Sequence, residues 1–143
     1  MFNKNPMQHA LIMAEEALIA DEVPVGAIII NPETNKIISR SYNLVETKKN
    51  PTAHAEMLTI QSACQTLNSK SLAGLDLYVT LQPCMMCMQA IIYAKIRRVY
   101  FGAYDPTINI NLAKTNHQVD IYGGICEEEC KAILNKFFAT KRS

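Results

Sequence analysis

Leu75-Asp76-Leu77-Tyr78-Val79-Thr80-Leu81-Gln82-Pro83-Cys84-Met85-Met86-Cys87 is the stretch that decides the fold. Leu75 to Leu81 is a short run of mostly apolar and aromatic residues, the composition of a buried strand. Pro83 then suits the opening of a helix, because proline lacks an amide hydrogen that would have no partner in a first turn. That helix is expected to end near Lys95, and Arg97 to Gly102 returns as a further strand. Upstream, Thr52 can cap a helix running to about Asn68, with Met57, Ile60, Ala63, Cys64 and Leu67 as its apolar stripe. Before it, Val25 to Ile30 and Lys36 to Tyr42 flank the turn Asn31-Pro32-Glu33-Thr34-Asn35 and read as a hairpin. Asn43 to Pro51 is polar and reads as a loop. A first helix starts near Pro6, with Met7, Leu11, Ala14 and Leu18 at helical spacing. Downstream, Ala103 to Gln118 shows no clear period, and Val119 to Tyr122 is a short fifth strand. Glu127 to Phe138 is a helix whose acids come first and bases later, as its dipole favours. Helices alternating with strands imply an α/β layer fold.

The 143 residues suit one domain, 1–143. Hydrophobic residues make up 49% and charged residues 19% of the chain. A packed core is therefore expected and wholesale disorder is not. A net charge of +1 leaves no strongly basic coat. Any nucleic-acid site must then be a local patch. The N-terminus lacks the apolar region of a secretory signal, and no apolar run approaches the ~20 residues that cross a bilayer. No membrane association and a cytoplasmic location are therefore expected. Five cysteines, an odd number, do not form a secreted disulfide framework. In a reducing compartment, close-set cysteines are metal ligands, redox groups or small buried residues.

Cys84 and Cys87 stand three apart at a helix opening, where unpaired N–H groups and the positive dipole end favour thiolate over thiol. Thiolates bind zinc well, although a redox pair or two core cysteines would show the same spacing. His54-Ala55-Glu56 falls at the start of another helix. Residues two apart diverge along a helix, so His54 and Glu56 converge only if the site lies across the helix end. One histidine and two cysteines make three ligands. Structural zinc sites usually close with four, whereas catalytic sites keep a position for water, which the metal polarises toward hydroxide. A carboxylate beside them, Glu56, is placed to move the protons of such a reaction.

The pattern H-x-E followed by P-C-x-x-C is the signature of zinc nucleobase deaminases, and the chain resembles the cytidine deaminase superfamily. Within it the chain looks most like the bacterial tRNA-specific adenosine deaminases. The likeness is carried by Val23-Pro24-Val25-Gly26-Ala27, Pro51 to Glu56, Leu77 to Leu81, Pro83 to Cys87, Val99-Tyr100-Phe101-Gly102-Ala103, and Glu129-Cys130 with Phe137-Phe138. It implies a three-layer α/β/α fold around a mixed sheet of about five strands. It implies one zinc per subunit on His54, Cys84 and Cys87, and Glu56 as the catalytic acid and base. The implied reaction is zinc-hydroxide attack on C6 of the wobble adenosine of an anticodon, with release of ammonia and formation of inosine. The resemblance also implies that Asn43 hydrogen-bonds the target base, that the backbone of Ala55 and of Pro83-Cys84 lines the pocket, and that Asp105 and Asn116 lie near bound RNA. A tRNA anticodon stem-loop is the expected partner, and a homodimer the expected assembly.

Two features depart from the family pattern. Gln82 stands where an acid is common, and Asp105-Pro106-Thr107-Ile108-Asn109-Ile110-Asn111 replaces a glycine-rich stretch with a lysine. The second departure keeps open a deaminase of a free base or nucleotide, such as cytosine, guanine or a pyrimidine nucleotide. A non-catalytic zinc module that recruits Cys126, Cys130 or His117 as a fourth ligand is a third possibility. From Lys131 to Ser143 the charged residues are Lys131, Lys136, Lys141 and Arg142, with Phe137-Phe138 interleaved. That tail suits phosphate contact and base stacking, and equally a helix end with a phenylalanine in the core. Beside a deaminase motif it is read as an RNA patch. Cys64, Cys126 and Cys130 are expected to be buried small residues.

Overall fold

The computed structural model describes residues 5–108 and 119–141. In chain order the elements are α1 (Pro6–Ile19), β1 (Gly26–Asn31), β2 (Lys36–Tyr42), α2 (Val45–Lys48), α3 (Ala55–Leu67), β3 (Asp76–Leu81), α4 (Met85–Tyr93), β4 (Arg98–Ala103), β5 (Asp120–Tyr122) and α5 (Glu127–Lys141). The five strands form one mixed sheet in the order β2-β1-β3-β4-β5. β1 runs antiparallel to β2 and β3, while β3, β4 and β5 run parallel. The expected hairpin, the fifth strand and the α/β layering are all present.

Alternation along the strands sends successive side chains to opposite faces. On one face Gly26 meets α1 so closely that an added Cβ would strike the Ala10 carbonyl oxygen and lie 2.5 Å from the Ala14 nitrogen. Backbone cannot move aside as a flexible side chain can, which fixes glycine there. Gly102, on the same face, packs against Cys130 of α5. On the other face Ser39 of β2 hydrogen-bonds Thr59 of α3, hydroxyl to carbonyl at 2.8 Å and hydroxyl to hydroxyl at 2.7 Å. α1 and α5 thus cover one face and α3 and α4 the other, giving three layers. Ile28, Ile29, Leu77, Val79 and Val99 of the sheet are fully buried between them.

Close approach of α1 rotates its buried stripe from the expected one. Met7, Ala10, Ala14 and Ala17 are buried, and Leu11 and Leu18 instead line a groove between α1 and α5. Small side chains let the helix sit on Gly26, which wider leucines would prevent. Asn43 to Pro51 is not all loop, since it holds the single turn α2, closed by Lys49 in the left-handed region at φ 50°. The start of α2 is capped from a distance, by Glu22, and so carries no local signal. Thr52 is not the cap of α3. Its amide and hydroxyl both bond the Asn50 side chain, and the N-cap is His54. α4 begins at Met85 rather than Pro83, with Cys84 as N-cap.

The register brings one group of ends together. Leu81 pairs with Ala103, and the Gln82 amide donates to the Ala103 carbonyl at 2.9 Å. Gly26 pairs with Tyr42 and donates to the Thr80 hydroxyl at 3.2 Å. The start of β1 and the ends of β2, β3 and β4 therefore share one margin of the sheet. Ligands of open α/β sheets bind outside the carboxyl ends of such parallel strands.

Candidate active site

Two helices open on that margin, and each begins with a residue of the H-x-E…P-C-x-x-C pattern. His54 is the N-cap of α3 and Cys84 the N-cap of α4, both with extended backbone and neither using its side chain as a cap. An N-cap side chain points across the helix end instead of along its flank. That geometry is why His54 and Glu56, two apart, can serve one site, and why Cys84 can meet Cys87 from outside the first turn. His54 Nδ1 lies 3.7 Å from Cys84 Sγ and 3.5 Å from Cys87 Sγ. All three ligand atoms fall within 4.8 Å of one another, and no further metal-type cluster occurs among the described residues.

The set fits zinc on geometry and on donor chemistry. A tetrahedral ion with Zn–S near 2.3 Å and Zn–N near 2.0–2.1 Å has N···S edges of about 3.5–3.6 Å, and the two measured separations bracket that range. Cys84 is held well below the usual thiol range by a hydrogen bond from the Cys87 thiol and then by His54. Cys87 is pushed up, first by that same bond and then by its burial. Zinc binds cysteine as thiolate, so an ion held by this set would favour loss of the thiol protons. His54 is raised, chiefly by its bond to Cys84.

Glu56 is not a ligand of this group. It is only 4% exposed, and burial pushes its carboxyl up to about 7, while its own backbone N–H and the nearby His54 pull the other way. A carboxyl so placed gives and takes a proton near neutral pH, the condition for general acid–base work.

Of the other expected residues, Ala55 is fully buried as the first residue of α3, and buried Pro83 directly precedes Cys84. Asn43 is 9% exposed, and its amide donates to the Val25 carbonyl at 3.1 Å. The Leu44 amide bonds the carbonyl of Ala53, beside His54, at 3.0 Å. Asp105 sits at the same margin because its amide donates to Gln82 Oε1 at 3.0 Å. A glutamine accepts this bond as an acid would, which accounts for Gln82. One Asp105 carboxylate oxygen holds its own turn through the Thr107 amide and hydroxyl at 2.9 and 2.6 Å. Asn116, His117 and Arg142 lie outside the described residues.

In the tail, Phe137 is buried. Lys141 stands 5.5 Å from its ring centroid and 2.8 Å from the Asp21 carboxylate, as at a helix end docked on its own core. Phe138 remains exposed. Cys130 is buried against Gly102, Cys126 and Cys64 are half-buried, and none of the three joins the metal group. Glu22 belongs to this region without any sequence signal for it. Its partners are 24 and 25 residues away in sequence, and no local pattern marks such a pairing.

A family model described as MafB19-like deaminase matches residues 1–142. A tRNA-specific adenosine deaminase of Rickettsia bellii is 42% identical over 140 residues, covering 92% of this chain and 97% of that protein. A solved structure from a study of A-to-I editing by tRNA:A34 deaminases superposes with a TM-score of 0.84 at 40% identity, over 90% of this chain and 98% of its own. A guanine deaminase from Bacillus subtilis superposes with a TM-score of 0.67 at 31% identity, over 84% and 73%. The fold, the site and these similarities agree: the chain belongs to the MafB19-like deaminase family, among the tRNA-specific adenosine deaminases.

Proposed function

We propose that this enzyme hydrolyses the wobble adenosine of a tRNA anticodon to inosine, using zinc on His54, Cys84 and Cys87 and Glu56 as its acid and base. The observation that carries the proposal is the buried, unligated Glu56 beside a three-ligand cluster, in a chain 42% identical to a tRNA-specific adenosine deaminase. Zinc held there supplies a Lewis acid that lowers the pKa of water. The Glu56 carboxylate takes a proton from the attacking water and delivers one to N1 of the ring. It then takes the remaining proton from the hydroxyl now on C6 and passes it to the departing amine as the C6–N bond breaks, so adenosine and water become inosine and ammonia. Buried Asn43 and the backbone of Ala55 and Pro83 shape the pocket for a base drawn out of its stack. Asp105, Asn116 and Arg142 serve the flanking RNA.

The assay is incubation of the zinc-loaded enzyme with an anticodon stem-loop carrying adenosine at the wobble position, followed by sequencing. Conversion of A to G in the reads is expected at that position. Ammonia released from cytosine, or from guanine, the base named for the Bacillus subtilis neighbour, with the RNA unchanged, would select a free-base activity instead.

A tRNA substrate implies a cytoplasmic enzyme, and no helix among the described residues is long and apolar enough to cross a membrane. We further infer a homodimer. On α4, the helix that carries Cys87, Met85 is 67% exposed and Tyr93 is 77% exposed. Large apolar side chains exposed on one helix favour a protein contact. Sedimentation equilibrium should give twice the monomer mass, and Tyr93→Lys should shift the balance toward monomer. A monomer at assay concentration would remove the dimer from the account.

A further inference from the structure

Glu22 is the most completely engaged carboxylate outside the metal site among the described residues. It is 1% exposed and sits in the turn between α1 and β1. Oε1 accepts from the Glu46 amide at 3.0 Å, and Oε2 from the Thr47 amide and the Thr47 hydroxyl, both at 2.6 Å. These amides open α2, whose own N-cap residue, Leu44, offers no side-chain bond. Burial alone would raise the carboxyl, but the Thr47 and Glu46 donors with the Lys49 charge outweigh it and hold it below its ordinary value. The turn that presents Glu22 is itself fixed. Its amide donates to the Ala17 carbonyl at 2.9 Å, and neighbouring Asp21, at φ 60°, pairs with Lys141 of α5.

The segment clamped in this way begins at Asn43 and ends at His54. Its two ends adjoin through the Leu44–Ala53 bond, so α2 is the tip of a closed loop whose base abuts the metal ligand. With only the Asn43–Val25 and Leu44–Ala53 bonds at its base, such a loop would hold Asn43 less firmly, because one helical turn has no independent stability. We infer that Glu22 is a positioning residue for the reaction, clamping the Asn43–His54 loop so that this wall of the pocket is set before substrate arrives.

The inference rests on the proposed RNA activity for its kinetic readout. Glu22→Gln keeps the shape but sets an NH2 group against an N–H donor. On the anticodon stem-loop, the zinc-loaded variant should show KM raised about tenfold with kcat within about threefold, the pattern of lost ground-state binding. Zinc content should stay as in wild type, and the Glu46 and Thr47 amides should exchange hydrogen faster. A merely structural defect reduces the active fraction and leaves KM alone. Thr47→Val removes one of the three bonds and should raise KM about two- to threefold. It decides the matter if Glu22→Gln does not fold. Wild-type KM with unchanged exchange in the folded variants overturns the inference. If wild type itself edits no RNA, the functional proposal fails, and amide exchange still decides whether Glu22 clamps the loop.

Discussion

Glu56→Gln is expected to retain the fold and a full complement of zinc while losing at least about 10³-fold in kcat. General acid–base groups contribute about 10²–10⁴, and Glu56 handles each proton transfer in the proposed reaction, so the loss should fall in the upper part of that range. Glutamine is nearly isosteric and removes a buried ionisable group, so folding stability should hold or rise slightly. The two measurements are single-turnover conversion and metal content on the same sample. Turnover within a few-fold of wild type would take Glu56 out of the mechanism, whatever the zinc content.

Cys84→Ala is expected to lose the metal. Cys84 is one of two sulfurs that bracket His54 Nδ1, at 3.7 Å from it. Two remaining ligands make a poor zinc site. Elemental analysis should fall from about one zinc per chain to below about a tenth after dialysis, with activity falling in step. Cys126→Ser is the contrasting variant, because Cys126 stands outside the cluster. Its zinc content and activity should match wild type. Equal zinc loss in both variants would favour a four-ligand structural site.

The residues that gather as a candidate metal site, His54, Cys84 and Cys87, were legible in the sequence, but the reason they converge only partly so. The motif places His54 and Cys84 near helix starts, and a boundary error of one or two residues is ordinary for sequence signals. Here such an error carries meaning. With Thr52 as cap, His54 would point along α3, whereas as the N-cap it points across the helix end at Cys84 and Cys87. The strands were readable because their β-branched and aromatic runs are local. The buried face of α1 was not, since it is set by contact with Gly26, which lies beyond the helix. α2 was hidden for a similar reason. Its cap is a carboxylate from the turn between α1 and β1, and its own sequence, Val45-Glu46-Thr47-Lys48, carries no start signal.

The most direct test of hydrolytic adenosine deamination at this site is to run the reaction in heavy-oxygen water and analyse the nucleosides of the recovered stem-loop by mass spectrometry. Wild-type enzyme with zinc should yield inosine carrying the heavy oxygen at position 6, one ammonia for each inosine, and no such product with Glu56→Gln. Intact adenosine, or inosine without the label, would contradict it.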